Sequence, residues 1–275
     1  MLQYEFFRLA LMAVVIIAVA AAMIGTYIIS RRLVALSGGV THACFGGLGL
    51  GYFLGVSPIA MAAVFAIGSS LGVEWLSRRL HVREDSAIAV VWALGMAVGV
   101  LFVFLTPGYV PELNSFLFGS ILTVSGKDIA VFAAFTVLLI LFFACRYRQI
   151  VAVAFDRDFA RVAGLPVRFI SVTATVMTAV CIVLTIRLVG IMLLMSMMTL
   201  PMMIAEVWLH RFGPLMVAGA IVSVTCSVAG LFIGTVIDVP CSAIIVLLLC
   251  AAYLASRIAH TAVIRTRSRR YLPTE

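Results

Sequence analysis

Charged residues are scarce in this chain of 275 residues. Asp, Glu, Lys and Arg make up 11% of it and apolar residues 64%, with a mean hydropathy of +1.23, whereas soluble domains carry about 25% charged and about 45–50% apolar residues. This deficit excludes a water-soluble globular protein. Apolar runs of about 20 residues, each able to cross a hydrocarbon core of roughly 30 Å, recur throughout. The sequence therefore predicts one membrane domain over residues 1–275.

Clustered metal ligands and a complete nucleotide motif are also missing. The six cysteines are scattered without a CxxC pair, which argues against a zinc finger or a disulfide framework. The SGKD stretch at 125–128 has Asp128 where a phosphate loop needs Ser or Thr, and it lacks the earlier glycine. We therefore expect that this chain is no enzyme, that another chain hydrolyses any ATP, and that no cofactor is permanently bound.

Nine apolar segments follow one another, although a count of eight is also possible. We predict an all-α, polytopic transmembrane bundle whose crossings lie near residues 6–29, 40–56, 58–77, 86–106, 127–145, 169–186, 190–209, 214–236 and 241–258. The breaks contain prolines, paired arginines or charged runs such as RRLHVRED at 78–85 and RYRQ at 146–149. The break at 106–128 is expected to fold back on the outer surface as a short helix.

The basic residues indicate which side each break faces. If successive breaks are assigned to alternate sides of the membrane, one side carries only Arg8, Lys127 and Arg187. The opposite side carries the other 16 of the 19 Lys and Arg residues. Short basic loops stay in the cytoplasm. The N-terminus is therefore predicted outside, and the C-terminus inside with a basic tail at 259–275 against anionic lipid. The basic residues cluster between spans and do not share a surface with aromatic side chains, so no nucleic-acid binding is expected.

Three ionisable residues are candidates for a functional site. His42 lies in the second apolar segment, where such a side chain is costly and usually faces the bundle interior; it is either a metal ligand or gate, since imidazole suits zinc and related metals, or a histidine satisfied in the core. Glu206 is either a functional group that needs a partner or an interfacial carboxylate near Arg211. Asp238 is either a loop acid or part of an entrance.

A short amphipathic helix is predicted between the fifth and sixth spans, within FDRDFARVAGLPV. Asp156 and Asp158 lie at its start, where the helix dipole favours carboxylates, and Gly164 and Pro166 end it. A short cytoplasmic helix between two spans is a candidate docking element.

Several stretches, in order, resemble the zinc, manganese and iron permease family of bacterial ABC importers. They are RRLVALSGGVTHA with His42, the LFGxxL stretch of Leu117, Phe118, Gly119 and Leu122, FDRDFARVAGLPV, VGIMLLMSMMTLPMMIA, and Asp238 with Pro240. The resemblance covers about residues 31 to 250. It implies a bundle of the type II ABC importer permease kind, located in the bacterial inner membrane.

The resemblance also implies roles for particular residues. His42 becomes a metal ligand or gate, and Glu206 and Asp238 become candidate oxygen donors, because Gly38 stands where the family commonly has aspartate. The ATPase-coupling helix falls at about 155–165 and includes Phe155, Asp156, Asp158, Phe159, Ala160 and Gly164. The implied partners are a second permease copy, two ATP-binding cassette subunits, a periplasmic or lipid-anchored metal-binding protein, and membrane lipid.

The expected function is therefore import of divalent transition metal ions. Retention of an imidazole and loss of an oxygen donor favour zinc over manganese or iron, because harder ions prefer carboxylates. Three alternatives remain. The first is a permease for a siderophore or cobalamin, which would line a wider path with polar groups, and the second is an ATP-independent carrier, for which inverted repeats would be the sign. The third is a membrane-embedded enzyme or structural bundle, which activity without an ATPase partner would support.

Overall fold

Helices make up the regular structure. The structure, a computed structural model, describes residues 3–107, 119, 121 and 124–270, without the side chains of 267–270, and these residues contain no β-strand. The helices are α1 (Glu5–Ser30), α2 (Val34–Leu54), α3 (Pro58–Arg79), α4 (Glu84–Leu105), α5 (Gly126–Phe155), α6 (Arg157–Val162), α7 (Val167–Val189), α8 (Ile191–Glu206), α9 (Phe212–Ile237) and α10 (Cys241–Arg270).

Eight of these helices are long and apolar enough to cross a membrane. They are all except α6 and α8. Helix α8 is apolar but has only 16 residues, which corresponds to about 24 Å. The predicted all-α polytopic bundle is thereby confirmed, with eight full-length spans and a ninth, shorter apolar helix among the described residues.

Three predicted span boundaries are wrong. Helix α2 begins at Val34 and not near residue 40, because the Ser and Gly residues that lower the local hydropathy are buried against neighbouring helices. Helix α5 continues through RYRQ to Phe155, with a kink only at Arg146 (φ −115°, ψ 16°). Helix α10 extends to Arg270. Hydropathy ends a span at the first charges, whereas backbone hydrogen bonding carries the helix past them.

The helix ends form two groups at opposite ends of the bundle. At the inner end, Arg31 follows α1, Glu84 begins α4 and Arg157 begins α6, and the three side chains are ion-paired. Glu206, the last residue of α8, lines a cavity together with them. A cytoplasmic position of this end is the expectation from its basic residues.

At the outer end, the carboxylate of Asp128 in α5 lies 2.9 Å from the guanidinium of Arg187 in α7. The rings of Phe7 in α1 and Phe232 in α9 are in contact, with centroids 5.0 Å apart. Because α8 starts four residues after Arg187 and ends beside the inner cavity, it runs from the outer to the inner end. The nine apolar helices thus alternate in direction, as the sequence predicts.

Helix α2 lies between α3 and α4 at close range. A Cβ atom at Gly47 would lie 2.3 Å from the carbonyl oxygen of Met61 in α3, and one at Gly49 would lie 2.4 Å from that of Gly99 in α4. Such contacts exclude any side chain at these positions, so small residues let the helices approach closely.

Four predictions lie outside the described residues: the roles of Leu117, Phe118 and Leu122, and the short helix within 106–128.

Candidate metal pathway and coupling helix

His42 lies near the middle of α2 and is half-buried. Its imidazole is parallel to the indole of Trp92 in α4, with ring centroids 4.6 Å apart and an angle of 2° between the planes. Its Nδ1 atom is buried and has no hydrogen-bond partner among the described residues. A buried polar atom without a partner is costly, typically by about 1–3 kcal/mol, so this nitrogen is available to a ligand.

One helical turn before His42, Gly38 leaves a space beside α8. A Cβ atom at Gly38 would lie 2.9 Å from Cε of Met195, so the methionine methyl group occupies this space. Residues four apart lie on the same helical face, which puts Met195 near the face that carries His42. No sequence signal placed Met195 beside the face of His42, and Trp92 gave none because it stands in an ordinary apolar run.

The two candidate carboxylates lie far from each other. Glu206, the last residue of α8, is exposed at the inner end, six residues before α9 begins, and Asp238 is exposed at the outer end, directly after α9. The 26 residues of α9 span about 39 Å, so one chain cannot bring both carboxylates to one ion. No group of three or more His, Cys, Asp and Glu side chains that could hold a metal occurs within the described part of the chain.

Each carboxylate has a structural setting of its own. Asp238 ends α9 in the left-handed conformation (φ 59°), which Asp tolerates better than most residues, and the amide of Val239 donates to the carbonyl of Gly234 at 3.0 Å. Glu206 faces an inner cavity of about 660 Å³ that it shares with Arg31, Arg32 and His210. The structure therefore places neither carboxylate with His42.

The predicted short helix is present at the inner end as α6. The carboxylate of Asp156 accepts hydrogen bonds from the amides of Asp158 and Phe159, both at 2.9 Å, and so caps its first turn. Gly164 (φ 74°) permits the reversal into α7 at a backbone angle that favours glycine. Ala160 is fully buried against the bundle.

The face of α6 that points away from the bundle is apolar and exposed. Phe159 and Val162 have 65% and 89% of their surface accessible and, three residues apart in α6, lie on one face. Phe155, the last residue of α5, is 60% accessible and stands before the extended residue Asp156. At a basic end of a membrane protein, lipid tails do not cover this face. A contiguous apolar patch of this kind indicates a protein-binding surface.

Sequence reasoning missed an ion cluster that attaches α6 to the bundle. Glu84 Oε1 lies 3.0 Å from Nη1 of Arg157 and 3.3 Å from Nη2 of Arg31. Burial, followed by the positive charge of Arg31, lowers the pKa of the Arg157 guanidinium, whereas Glu84 raises it. The one signal available was the acidic pair that follows the basic run RRLHVR, which was interpreted only as a span break.

Comparison with known proteins identifies the family. The ABC 3 transport family matches residues 3–260. The chain belongs to that family. The resemblance that its motifs indicated is thereby confirmed: the chain is a membrane permease subunit of an ABC transporter and not an enzyme, and ATP is hydrolysed by a separate subunit.

Several proteins are similar to this member of the ABC 3 transport family over most of their length. An uncharacterized membrane protein of Synechocystis sp. is 36% identical over 93% of this chain and 91% of its own. A probable metal transport system membrane protein of Chlamydia pneumoniae is 32% identical over 86% and 83%, respectively. A manganese transport system membrane protein, MntC, of Halalkalibacterium halodurans is 27% identical over 90% and 85%.

Among solved structures, PsaBC from Streptococcus pneumoniae in complex with Fab has the same fold. The TM-score is 0.80, with 24% identity, and the match covers 92% of this chain and 91% of the matched one. The likeness extends over almost all of the bundle, which supports the helix order described above.

Proposed function

We propose that this chain is the permease of an importer for divalent transition metal ions, with zinc as the first candidate. The observation that carries the proposal is the imidazole of His42, which offers a buried, unpartnered Nδ1 half-way along a central helix. Imidazole nitrogen is a ligand for zinc and its neighbours in the first transition row. The family membership and the relatives named for metal transport support a metal cargo.

Manganese is the second candidate. A relative 27% identical to this chain is named for manganese transport, but manganese prefers carboxylate and carbonyl oxygens. Among the described residues, the space beside Gly38, one turn before His42, is filled by the methyl group of Met195. This position supplies no oxygen ligand, which favours zinc over manganese.

A second copy of the permease would complete the pathway. A single chain supplies one imidazole at this depth and lacks any metal-holding group of three or more His, Cys, Asp and Glu among its described residues, whereas zinc ordinarily takes four ligands. His42 is only half-buried, so a copy related by two-fold symmetry can bring a second His42 to the same place.

The other partners follow from the two ends of the bundle. Two ATPase subunits would dock on the apolar face of α6 at the inner, cytoplasmic end. An external metal-binding protein would deliver the ion to the outer end, where Asp238 lies. The N-terminus would then be outside and the C-terminus in the cytoplasm of a bacterial cell. Closure of the ATPases would shift the bundle between two arrangements that open alternately to either side.

The test measures uptake of zinc, manganese and iron by proteoliposomes that contain the permease, its ATPase and its binding protein. The decisive variant is His42→Phe, which keeps an aromatic ring to stack on Trp92 but removes both nitrogens. We expect ATP-dependent zinc uptake in the wild type and at least a tenfold loss in the variant, since removal of even an outer-shell partner of a metal ligand costs about 10–100-fold.

The matched control is His260→Phe. His260 contacts the ring of Trp208 edge-on, at 5.2 Å between centroids, so the substitution again replaces an imidazole beside an indole, but far from α2. It should leave uptake unchanged. Uptake that survives His42→Phe would contradict the role of His42, and a complex that carries a siderophore but none of the three metals would contradict the metal-ion cargo.

A further inference from the structure

We propose that Glu84 is the positioning residue through which α6 moves the α2–α4 pair, so that a displacement of α6 by the ATPase subunits reaches His42. This inference rests on the proposed function, because it assigns the route by which ATP acts on the transport site. It concerns the ion cluster of Arg31, Glu84 and Arg157.

The cluster connects three separate elements through one carboxylate. Arg157 is the first residue of α6, Glu84 is the first residue of α4, and Arg31 follows α1 directly. Both guanidiniums contact the same oxygen, Glu84 Oε1, at 3.0 and 3.3 Å. Charge-assisted contacts of this kind are stronger than those between neutral groups, and this one is the only ion pair of α6 with another helix among the described residues.

Arg31 gives the cluster a fixed base. Its side chain is only 6% exposed, its Nη1 atom donates to the hydroxyl of Tyr27 at 3.1 Å, and its guanidinium lies 5.8 Å from the centroid of the Tyr27 ring. Tyr27 belongs to α1, which is largely buried. The Glu84 carboxylate is held between this anchored arginine and Arg157, so a displacement of α6 relative to α1 changes its contacts.

From Glu84, one face of α4 leads to His42. Ile88 and Trp92 follow Glu84 at intervals of four residues and so lie on the same face. The side chain of Ile88 fills the space beside Gly39, and the indole of Trp92 stacks on His42 itself. These contacts pack α4 against α2, and packed interiors transmit strain.

Charge balance makes the cluster sensitive to its single carboxylate. Two guanidiniums share Glu84, and Nε of Arg157 is buried without a partner among the described residues. Loss of the carboxylate leaves two like charges close together in a partly buried place, which drives Arg157 and α6 away from Arg31 at the end of α1, and it removes the ion pair that holds α6 to α4. A reversed pair, Glu84→Arg with Arg157→Glu, restores one carboxylate between two guanidiniums, because Arg31 remains.

The first experiment measures metal transported per ATP hydrolysed in proteoliposomes with the complete transporter. We expect Glu84→Arg and Glu84→Gln to lower this ratio about fivefold or more, the usual lower bound of an allosteric coupling, and the Glu84→Arg/Arg157→Glu variant to regain most of it. The control is the reversed pair Glu74→Arg/Arg78→Glu, whose partners lie within α3 alone; its ratio should equal that of the wild type.

The second experiment follows Trp92 directly, in the wild-type complex and in Glu84→Gln, after Trp75 and Trp208 are replaced by Phe. We expect Trp92 emission to change when the ATPase subunits bind ATP and to change at least fivefold less in the Glu84→Gln variant. Trp92 emission does not depend on the cargo, so it tests the route from α6 to His42 even if none of the three metals is carried. Failure to carry any of the three metals would contradict only the proposed function. Equal emission changes in both proteins, or a wild-type transport ratio in Glu84→Gln, would overturn the inference.

Discussion

Single glycine residues decide how closely α2 approaches its neighbours. Gly49 and Gly99 lie backbone to backbone, so that a Cβ at residue 49 would be 2.4 Å from the Gly99 carbonyl oxygen. Gly68 in α3, in contrast, has no heavy atom of the described residues within 4 Å of the position of a Cβ, its chain neighbours and the nearby backbone of its own helix aside. The two sites separate the effect of packing from that of helix propensity, because each is a glycine inside a helix.

Substitution of these glycines by alanine should therefore have opposite effects. Gly49→Ala forces the α2 and α4 backbones apart and should lower the free energy of unfolding by about 1–3 kcal/mol, as overpacking does. Gly68→Ala should cause no loss and a gain of up to about 1 kcal/mol, because alanine favours a helix. Thermal unfolding in detergent micelles measures both, and equal stability of the two variants would refute the close contact.

Among the elements, α6 is the one whose surface does not match its surroundings. It has only six residues, yet it presents an apolar face outward at the end of the bundle where the basic residues gather. Its attachment is provided by the fully buried Ala160 and by Arg157 in the ion cluster. An exposed phenylalanine on a small, well-capped helix is the type of residue that dominates a protein interface.

Phe159→Ala should weaken binding of the ATPase subunit to permease in nanodiscs about tenfold or more, because loss of an aromatic anchor costs more than about 1 kcal/mol. Thermal stability of the permease itself should not fall, since the side chain is 65% exposed. The control is Val239→Ala, an exposed apolar residue at the outer end. Equal affinities of the two variants would place the docking surface elsewhere.

At the scale of the whole molecule, the direction of α8 determines on which side the last helices lie. With α8 as a crossing, Phe159 and Val239 lie on opposite sides of the membrane. Without it, α9 would run the other way, and both residues would face the cytoplasm. The inner cavity that Glu206 shares with Arg31 and Arg32 supports the first arrangement.

Single cysteines in a cysteine-free background distinguish the two arrangements. A membrane-impermeant maleimide should label Val239→Cys in intact cells and should label Phe159→Cys only after permeabilisation. Labelling of both residues only after permeabilisation would show that α8 does not cross and that eight spans are the correct count.

Sequence and structure agree most closely where a single physical property determines that a helix forms. Apolar runs of membrane length predicted each of the eight full-length spans among the described residues, since no other segment is stable in hydrocarbon. The predicted α6 is found between Arg157 and Val162 because its signals are local: an Asp cap, a reversal at Gly164 and a following proline. The start of α2 and the ends of α5 and α10 were predicted poorly, since hydropathy registers where a membrane ends and not where hydrogen bonding ends.

The candidate site was predictable only in part. His42 was recognisable because an ionisable residue in an apolar run is rare, but its partner Trp92 is one apolar residue among many. Glu206 and Asp238 were grouped with His42 by residue type, although α9 separates them. Glu84 was overlooked because its two partners stand 53 and 73 positions away.

The sequence by itself therefore determined the membrane location, the helical class, the alternation of helices and the family, because hydropathy, charge bias and short motifs depend on residues near one another in the chain. Only the tertiary structure decided which side chains meet: His42 with Trp92, Met195 with the space at Gly38, and Glu84 with two arginines. Such contacts depend on how close and at what rotation two helices pack, and small residues far apart in the sequence set both.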